Sequence, residues 1–199
     1  MKTIYKRRNG KEMTMMQIEG VQEPVQSLIR RTKPSQVVEI GTGSGGFTQL
    51  LRESLDAAFL RSTSVLSIDV KQRQSAHDWE RISFIEGDCF TSAKKTTIST
   101  KLKKQIQQDG VSIIFCDGGS KPEEFEAVAK VVKDGDIILA HDYFRSLHLF
   151  RLEKEKQDTD KIFCAVTDSK IDSCCVKNGL REFMQDDFEK FRWAIRRKF

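Results

Sequence analysis

The apolar positions fall in short runs whose period changes along the chain. Val37 to Ile40, Val65 to Asp69, Ile82 to Glu86, Val111 to Cys116 and Asp136 to His141 are stretches rich in β-branched residues, the pattern of strands buried on both faces of a parallel sheet. Between them the period lengthens to that of a helix: Phe47, Leu50, Leu51 and Leu55; Ile98, Leu102 and Ile106; Phe125, Val128, Ala129 and Val132. Each set lines its apolar side chains along one stripe. The last helix carries start and stop signals, with Ser120 at the N-cap, Pro122 just inside, Glu123 placed to complete a capping box and Gly135 near the end. This alternation predicts an α/β fold, a Rossmann-like doubly wound sheet of about seven strands, mostly parallel, with helices on both faces.

The flanks are less regular. Pro24 to Thr32 reads as a short amphipathic helix with Val25, Leu28 and Ile29 on one side, and Phe144 to Glu155 as a helix that gives way to the polar run Lys154 to Lys161. Two late strands are expected, at Ile162 to Val166 and at Arg192 to Arg196. The second reads as an edge strand with Trp193 in the core and its charges outside. Asp168 to Asp187 shows no readable period, and the polar stretch Thr91 to Lys104 reads as a solvated loop leading into a helix. The expected organisation is one domain over residues 1–199, an N-terminal cap segment (1–35) followed by the Rossmann-like core (36–199).

Composition narrows the picture. A chain of 199 residues with 38% hydrophobic residues can bury a single core without disulfides or metals. No stretch approaches the roughly 20 apolar residues that span a bilayer, and the basic start, Met1 to Gly10, lacks the apolar core of a signal peptide. A cytoplasmic protein that binds no membrane is expected, with homo-oligomer formation left open. Cys89, Cys116, Cys164, Cys174 and Cys175 include no CxxC pair and read as reduced thiols. The net charge of +5 licenses only weak attraction to anions. His77 and His148, isolated in polar surroundings, read as surface residues.

The chemistry concentrates after the first strand, where Glu39-Ile40-Gly41-Thr42-Gly43-Ser44-Gly45-Gly46 runs into a helix. Glycines there let backbone approach a ligand, and the helix start offers free N–H groups. Gly41, Gly43 and Gly46 also satisfy the dinucleotide GxGxxG spacing, so they do not by themselves separate NAD from S-adenosylmethionine. Glu39 does: a carboxylate at this point would repel a pyrophosphate, whereas it stabilises a ligand carrying a sulfonium and an ammonium. Asp69 ends the second strand, where a carboxylate can accept both ribose hydroxyls. Gly87 and Asp88 follow the third strand, where a side-chain acceptor can take an adenine amino group.

In this order of motifs, from Val37 to Tyr143, the sequence resembles the class I S-adenosylmethionine-dependent methyltransferases. Within them, Cys116-Asp117-Gly118-Gly119-Ser120-Lys121, Gly135 to Tyr143 and the upstream Gly20 to Gln26 resemble the branch of cephalosporin hydroxylase and of rhamnosyl and macrolide O-methyltransferases. The resemblance implies a cofactor site of Glu39, Gly41, Thr42, Gly43, Ser44, Gly45, Asp69, Asp88, Cys89 and Asp117. It also implies a divalent metal such as Mg²⁺ held by Asp117 and Asp142, with His141 in a third position that is commonly acidic. The span from Glu39 to Asp69 exceeds the roughly 20 positions of the compact dinucleotide unit, with Asp56 to Ser64 absorbing the excess.

Chemistry alone points the same way. Asp117 and Asp142 end strands expected to be neighbours, and two converging carboxylates repel unless a cation or a shared proton relieves them. A hard cation would hold an acceptor's paired hydroxyl oxygens and lower a hydroxyl pKa. Lys121 is an alternative source of positive charge, and without a metal His141 is the best general base. Asp117, His141 and Asp142 are therefore the candidate catalytic residues, for methyl transfer to a hydroxyl oxygen of a small molecule or sugar. DNA bases are disfavoured as acceptors, because no pair of prolines follows Asp117 and no Pro-Cys dipeptide exists. Nucleic acid as a partner stays open, since Lys2 to Lys11, Lys94 to Lys104 and Arg192 to Lys198 could track a phosphate backbone. The competing readings are an NAD-dependent oxidoreductase and a non-catalytic scaffold of the same fold.

Overall fold

The computed structural model describes residues 3–6, 12–71, 81–156 and 165–199. After an antiparallel pair, β1 (Thr3–Lys6) and β2 (Glu12–Met15), come α1 (Gln22–Thr32), β3 (Gln36–Ile40), α2 (Gly46–Ala57), β4 (Ser64–Asp69), β5 (Ile82–Glu86), α3 (Thr100–Ile106), β6 (Ser112–Cys116), α4 (Lys121–Ala129) and β7 (Ile137–His141). The remainder forms β8 (Tyr143–Phe144), α5 (Leu147–Lys156), β9 (Val166–Thr167), α6 (Asp168–Lys177), β10 (Leu180–Glu182), α7 (Gln185–Glu189) and β11 (Trp193–Lys198). One sheet of seven strands runs in the order β10-β11-β7-β6-β3-β4-β5. Its five parallel members are the five strands expected from the apolar runs, and β11 and β10 add antiparallel.

The two-residue period of a strand divides the core between the faces. Val38, Ile40, Ile114 and Ile138 pack with Leu102, Ile106, Phe125 and Val128 of α3 and α4. Val37, Ile113, Phe115 and Leu139 pack with Val25, Leu28, Leu51 and Leu55 of α1 and α2, and with Trp193. Since β3, β6 and β7 are buried along their whole length, polar side chains of the central strands are isolated from solvent. The loops at their carboxyl ends carry the chemistry, as open α/β sheets require.

The structure corrects three expectations. β11 is an interior strand, because the unread segment supplies α6, β10 and α7, and β10 covers its outer side. Three residues, Leu180-Arg181-Glu182, are too few to display a period. Arg196 is consequently buried, donating to Gln185 Oε1 (2.6 Å) and paired with Asp168 (3.1 Å). The late strand expected at Ile162 to Val166 lies partly outside the described residues; Val166 and Thr167 pair with β8 in a separate small sheet. The capping box is absent: Ser120 makes no capping bond and Glu123 is exposed, while the buried Glu124 folds back to accept the N–H groups of Gly118 (3.1 Å) and Ser120 (2.9 Å).

Cys89, Cys116, Cys174 and Cys175 are unpaired, and His148 is exposed; Cys164 and His77 lie outside the described residues. Among the described residues no helix is long and apolar enough to cross a membrane.

Candidate active site

The turn from β3 into α2 forms one wall of a cavity of about 830 Å³ at the carboxyl edge of the sheet. Gly41 has φ +98, and a Cβ there would stand 2.4 Å from the Asp117 carbonyl oxygen. Only glycine lets the loops after β3 and β6 lie so close. Gly43, at φ +54, is different: a Cβ would meet nothing within 4 Å, so the space above it is a cradle facing the cavity. Thr42 and Ser44 also line the cavity; Gly45, the left-handed N-cap of α2, does not.

Glu39 is fully buried beneath this turn and lines the cavity. Its Oε2 accepts hydrogen bonds from the Ser67 hydroxyl at 2.6 Å and from the Thr48 hydroxyl. Its Oε1 has no partner among the described residues. Burial pushes its pKa up to about 8, against the two hydroxyl bonds and with help from the nearby charges of Asp117 and Asp69. A buried carboxyl with one unpartnered oxygen suits a cation and opposes a phosphate. The residues present therefore fit the ammonium-bearing end of S-adenosylmethionine and not a dinucleotide.

Asp69 accepts the Gly43 N–H at 2.9 Å through Oδ2 and the Lys71 N–H at 3.3 Å through Oδ1. It therefore ties the end of β4 to the glycine turn across the cavity wall. Asp88 is exposed, its Oδ1 accepting the Phe90 N–H at 3.0 Å. Cys89 beside it is buried, and burial with neighbouring Glu124 and Asp88 pushes its thiol up to about 12. All three residues line the cavity.

At the other end, the residues expected to converge do so. His141 Nδ1 lies 2.9 Å from Asp117 Oδ1 and 3.7 Å from Asp142 Oδ1. An ionised carboxylate only accepts, so Nδ1 carries the proton and Nε2 is left as the basic nitrogen. Asp117 Oδ2 accepts from Gln17 Nε2 at 2.7 Å, and Gln17 Oε1 accepts from Trp193 Nε1 at 3.0 Å. Trp193 stands directly opposite His141 in the β11–β7 register, with ring centroids 4.7 Å apart. Indole and N-terminal amide thus hold both members of the Asp117–His141 pair.

The cation between the carboxylates is a side chain. Lys121 Nζ lies 3.0 Å from Asp142 Oδ2 and 3.8 Å from Asp117 Oδ1. Burial alone would lower the ammonium's pKa, but Asp117 and Asp142 outweigh it and lift it above the ordinary lysine value. A hard dication asks for a near-octahedral set of oxygens. Here one of the three expected donors is an imidazole nitrogen already engaged by Asp117, and an ammonium stands against both carboxylates. The donor set as built does not fit a divalent ion, and among the described residues no cluster of His, Cys, Asp and Glu has the arrangement to hold one.

Sequence reasoning missed Gln17, Ser67, Thr48 and Glu124. Glu124 had a signal, a second acid in the first turn of a helix that follows a glycine pair. Gln17 had none, being one polar residue among Met15, Met16 and Ile18.

Comparison with known proteins bears on the whole chain. The profile of the FtsJ-like methyltransferase family matches residues 18–194. No curated protein matches in sequence. Among solved structures, CmcI with magnesium and S-adenosylmethionine is 15% identical with a TM-score of 0.64, the match covering 98% of this chain and 76% of CmcI. MycE, in complex with magnesium, S-adenosylhomocysteine and mycinamycin VI, is 17% identical with a TM-score of 0.53, over 88% of this chain but only 48% of MycE. A Staphylococcus aureus protein assigned as a caffeoyl-CoA O-methyltransferase is 16% identical with a TM-score of 0.54, over 89% and 82% of the two chains. At these identities the likeness is one of fold.

Proposed function

The chain belongs to the FtsJ-like methyltransferase family, and from that premise we propose that it methylates a hydroxyl oxygen of a small acceptor, with S-adenosylmethionine as donor and His141 as base. The observation that carries this reading is the Asp117–His141 pair at 2.9 Å, on the same cavity as the unpartnered oxygen of Glu39 and the open cradle at Gly43. When bound, S-adenosylmethionine supplies a methyl group on a sulfonium, so that the acceptor oxygen forms the new bond to carbon while the old bonding pair stays on sulfur.

The chain's residues divide the remaining work. Glu39 receives the ammonium end, Gly43 lets the ligand lie against the backbone, Asp69 accepts from the ribose with its remaining lone pairs, and Asp88 and Cys89 face the adenine. His141 Nε2 takes the hydroxyl proton as oxygen attacks. Asp117 fixes the tautomer and stabilises the imidazolium, in the manner of a base held by a carboxylate. The Trp193 face beneath the ring favours that charge further.

Among the described residues the cavity wall carries seven carboxyl side chains against three cations, Lys95, Lys121 and Arg192. That balance supports a neutral acceptor over a polyanion, and therefore a small hydroxylated molecule or sugar over nucleic acid.

Calorimetry with S-adenosylhomocysteine tests the cofactor site: wild type binds, and Gly43→Val loses binding while its far-ultraviolet spectrum persists. On an acceptor found by screening hydroxylated compounds, His141→Ala lowers turnover by about 10²–10⁴-fold, the range of a general base. Full turnover in His141→Ala would sink the catalytic assignment. No binding to wild type would sink the cofactor site.

A further inference from the structure

We infer that Lys121 is the resident cation of this site, standing against the two carboxylates expected to hold a divalent metal, and that its ammonium binds the acceptor oxygen. The inference rests on the methyltransferase reading above. It starts from where α4 begins. Lys121 is the first residue of that helix, and its side chain runs inward to the carboxyl ends of β6 and β7. The side chain is only 12% exposed, against 16% for Asp117 and 13% for Asp142. An ordinary helix-surface lysine keeps its head in water. Withdrawing the ammonium from water is costly unless charges and hydrogen bonds replace the lost hydration, and here two carboxylates do so.

The charge balance argues against a metal beside it. Asp117 and Asp142 carry two negative charges, and Lys121 already offsets one of them. A dication among the same oxygens would leave a net positive cluster, with an ammonium at hydrogen-bonding distance (3.0 Å) from Asp142 and at ion-pair distance (3.8 Å) from Asp117. It would also have to take Asp117 from His141 and Gln17, which hold one oxygen each. Filling the site with metal therefore means expelling Lys121 and dismantling the Asp117–His141 pair.

An ammonium has three N–H donors, and Asp142 and Asp117 are its two carboxylate partners here. Lys121 lines the cavity together with His141, so the N–H that faces neither carboxylate is directed to a ligand oxygen rather than to a third protein group. The consequence for chemistry is a division of labour. A metal would acidify the hydroxyl by coordination; an ammonium only hydrogen-bonds it and offsets developing charge, so deprotonation falls to His141. The acceptor's O–H proton passes to His141 Nε2, its oxygen takes the methyl carbon, and the sulfur keeps the electron pair of the broken bond. A dication favours paired oxygens that chelate it, whereas an ammonium bonds one oxygen per N–H. The acceptor class thus extends to lone hydroxyls.

Manganese binding is the decisive measurement, made by electron paramagnetic resonance on the full chain with S-adenosylhomocysteine present. Wild type is expected to show no saturable Mn²⁺ site that Asp142→Asn removes. Lys121→Ala leaves the carboxylates without their cation and is expected to bind Mn²⁺ at least tenfold more tightly than wild type. Lys121→Met, which keeps the apolar stem, carries the same expectation should the alanine variant not fold. Stoichiometric Mn²⁺ binding to wild type that is lost in Asp142→Asn overturns the inference, and so does a Lys121 variant with no gain. Calorimetry with S-adenosylhomocysteine on the same samples reports on the methyltransferase reading separately, since the manganese titration reads the cation site whether or not that ligand binds.

Discussion

Glu39 concentrates the tension of the site in one residue. Its pKa of about 8 in the fold stands above the ordinary 4.5 because burial disfavours the charge. Below pH 4.5 the acid is protonated folded and unfolded, and it costs nothing. Between pH 4.5 and 8 the unfolded chain ionises first, so the fold loses stability as pH rises, and above pH 8 the loss is constant. At about 1.4 kcal/mol per pH unit the full loss is on the order of 5 kcal/mol. Glu39→Gln should therefore gain stability relative to wild type across that window and hold a constant difference above it, as read by denaturant midpoints at several pH values. A cationic ligand reverses the preference. Binding of S-adenosylhomocysteine near pH 7 should release protons from wild type and none from Glu39→Gln, which calorimetry in buffers of differing ionisation enthalpy detects; equal release from both would remove Glu39 from the ligand site.

At the scale of elements, the β3–α2 turn uses its glycines for two purposes. Gly41 is a packing glycine: its missing Cβ is the clearance between the β3 and β6 loops, with the Asp117 carbonyl carbon at 2.6 Å and the Gly118 nitrogen at 2.7 Å from where it would be. Gly43 has open space instead. Gly41→Ala is expected to destabilise the fold by about 2–4 kcal/mol, from backbone overlap added to a positive φ. Gly43→Ala should cost about 1–2 kcal/mol for its left-handed backbone, yet weaken S-adenosylhomocysteine binding at least tenfold. Paired unfolding and calorimetry curves separate the two, and the reverse ranking would refute this division.

At the scale of the molecule, the site is a meeting point of chain regions far apart in sequence. Gln17, ahead of the first helix, joins Trp193 near the carboxyl end to Asp117 in the middle. Trp193 also packs its indole on Phe47 (5.5 Å) and Phe115 (5.5 Å), which ties the catalytic pair to the core. Trp193→Ala is expected to cost about 3–5 kcal/mol. Trp193→Phe keeps most of the packing and removes the Nε1–H bond to Gln17, so stability should fall by only about 1–3 kcal/mol. Turnover should fall about tenfold in that variant as Asp117 loses its brace; unchanged turnover would show that the brace does not matter.

Local patterning was enough to determine the five parallel strands, the glycine turn and the meeting of Asp117 with His141 and Asp142. Strands of a parallel sheet end on one edge, so residues that close adjacent β-runs are brought together by the alternation itself. Glu39 was legible for the same reason, as an acid interrupting a buried run at its last turn inward. What only the tertiary structure decided is carried by residues without a period. β10 is too short to register, and without it β11 reads as an edge. Lys121 was legible as a source of positive charge, but the choice of Glu124 over Glu123 to turn inward and accept the Gly118 and Ser120 N–H groups is one that one-dimensional spacing does not encode. Gln17 reaches Asp117 across 100 positions and Trp193 across 176. Contacts at such separation depend on how packed layers close over one another, and that closure is set by the whole core rather than by any local run of residues.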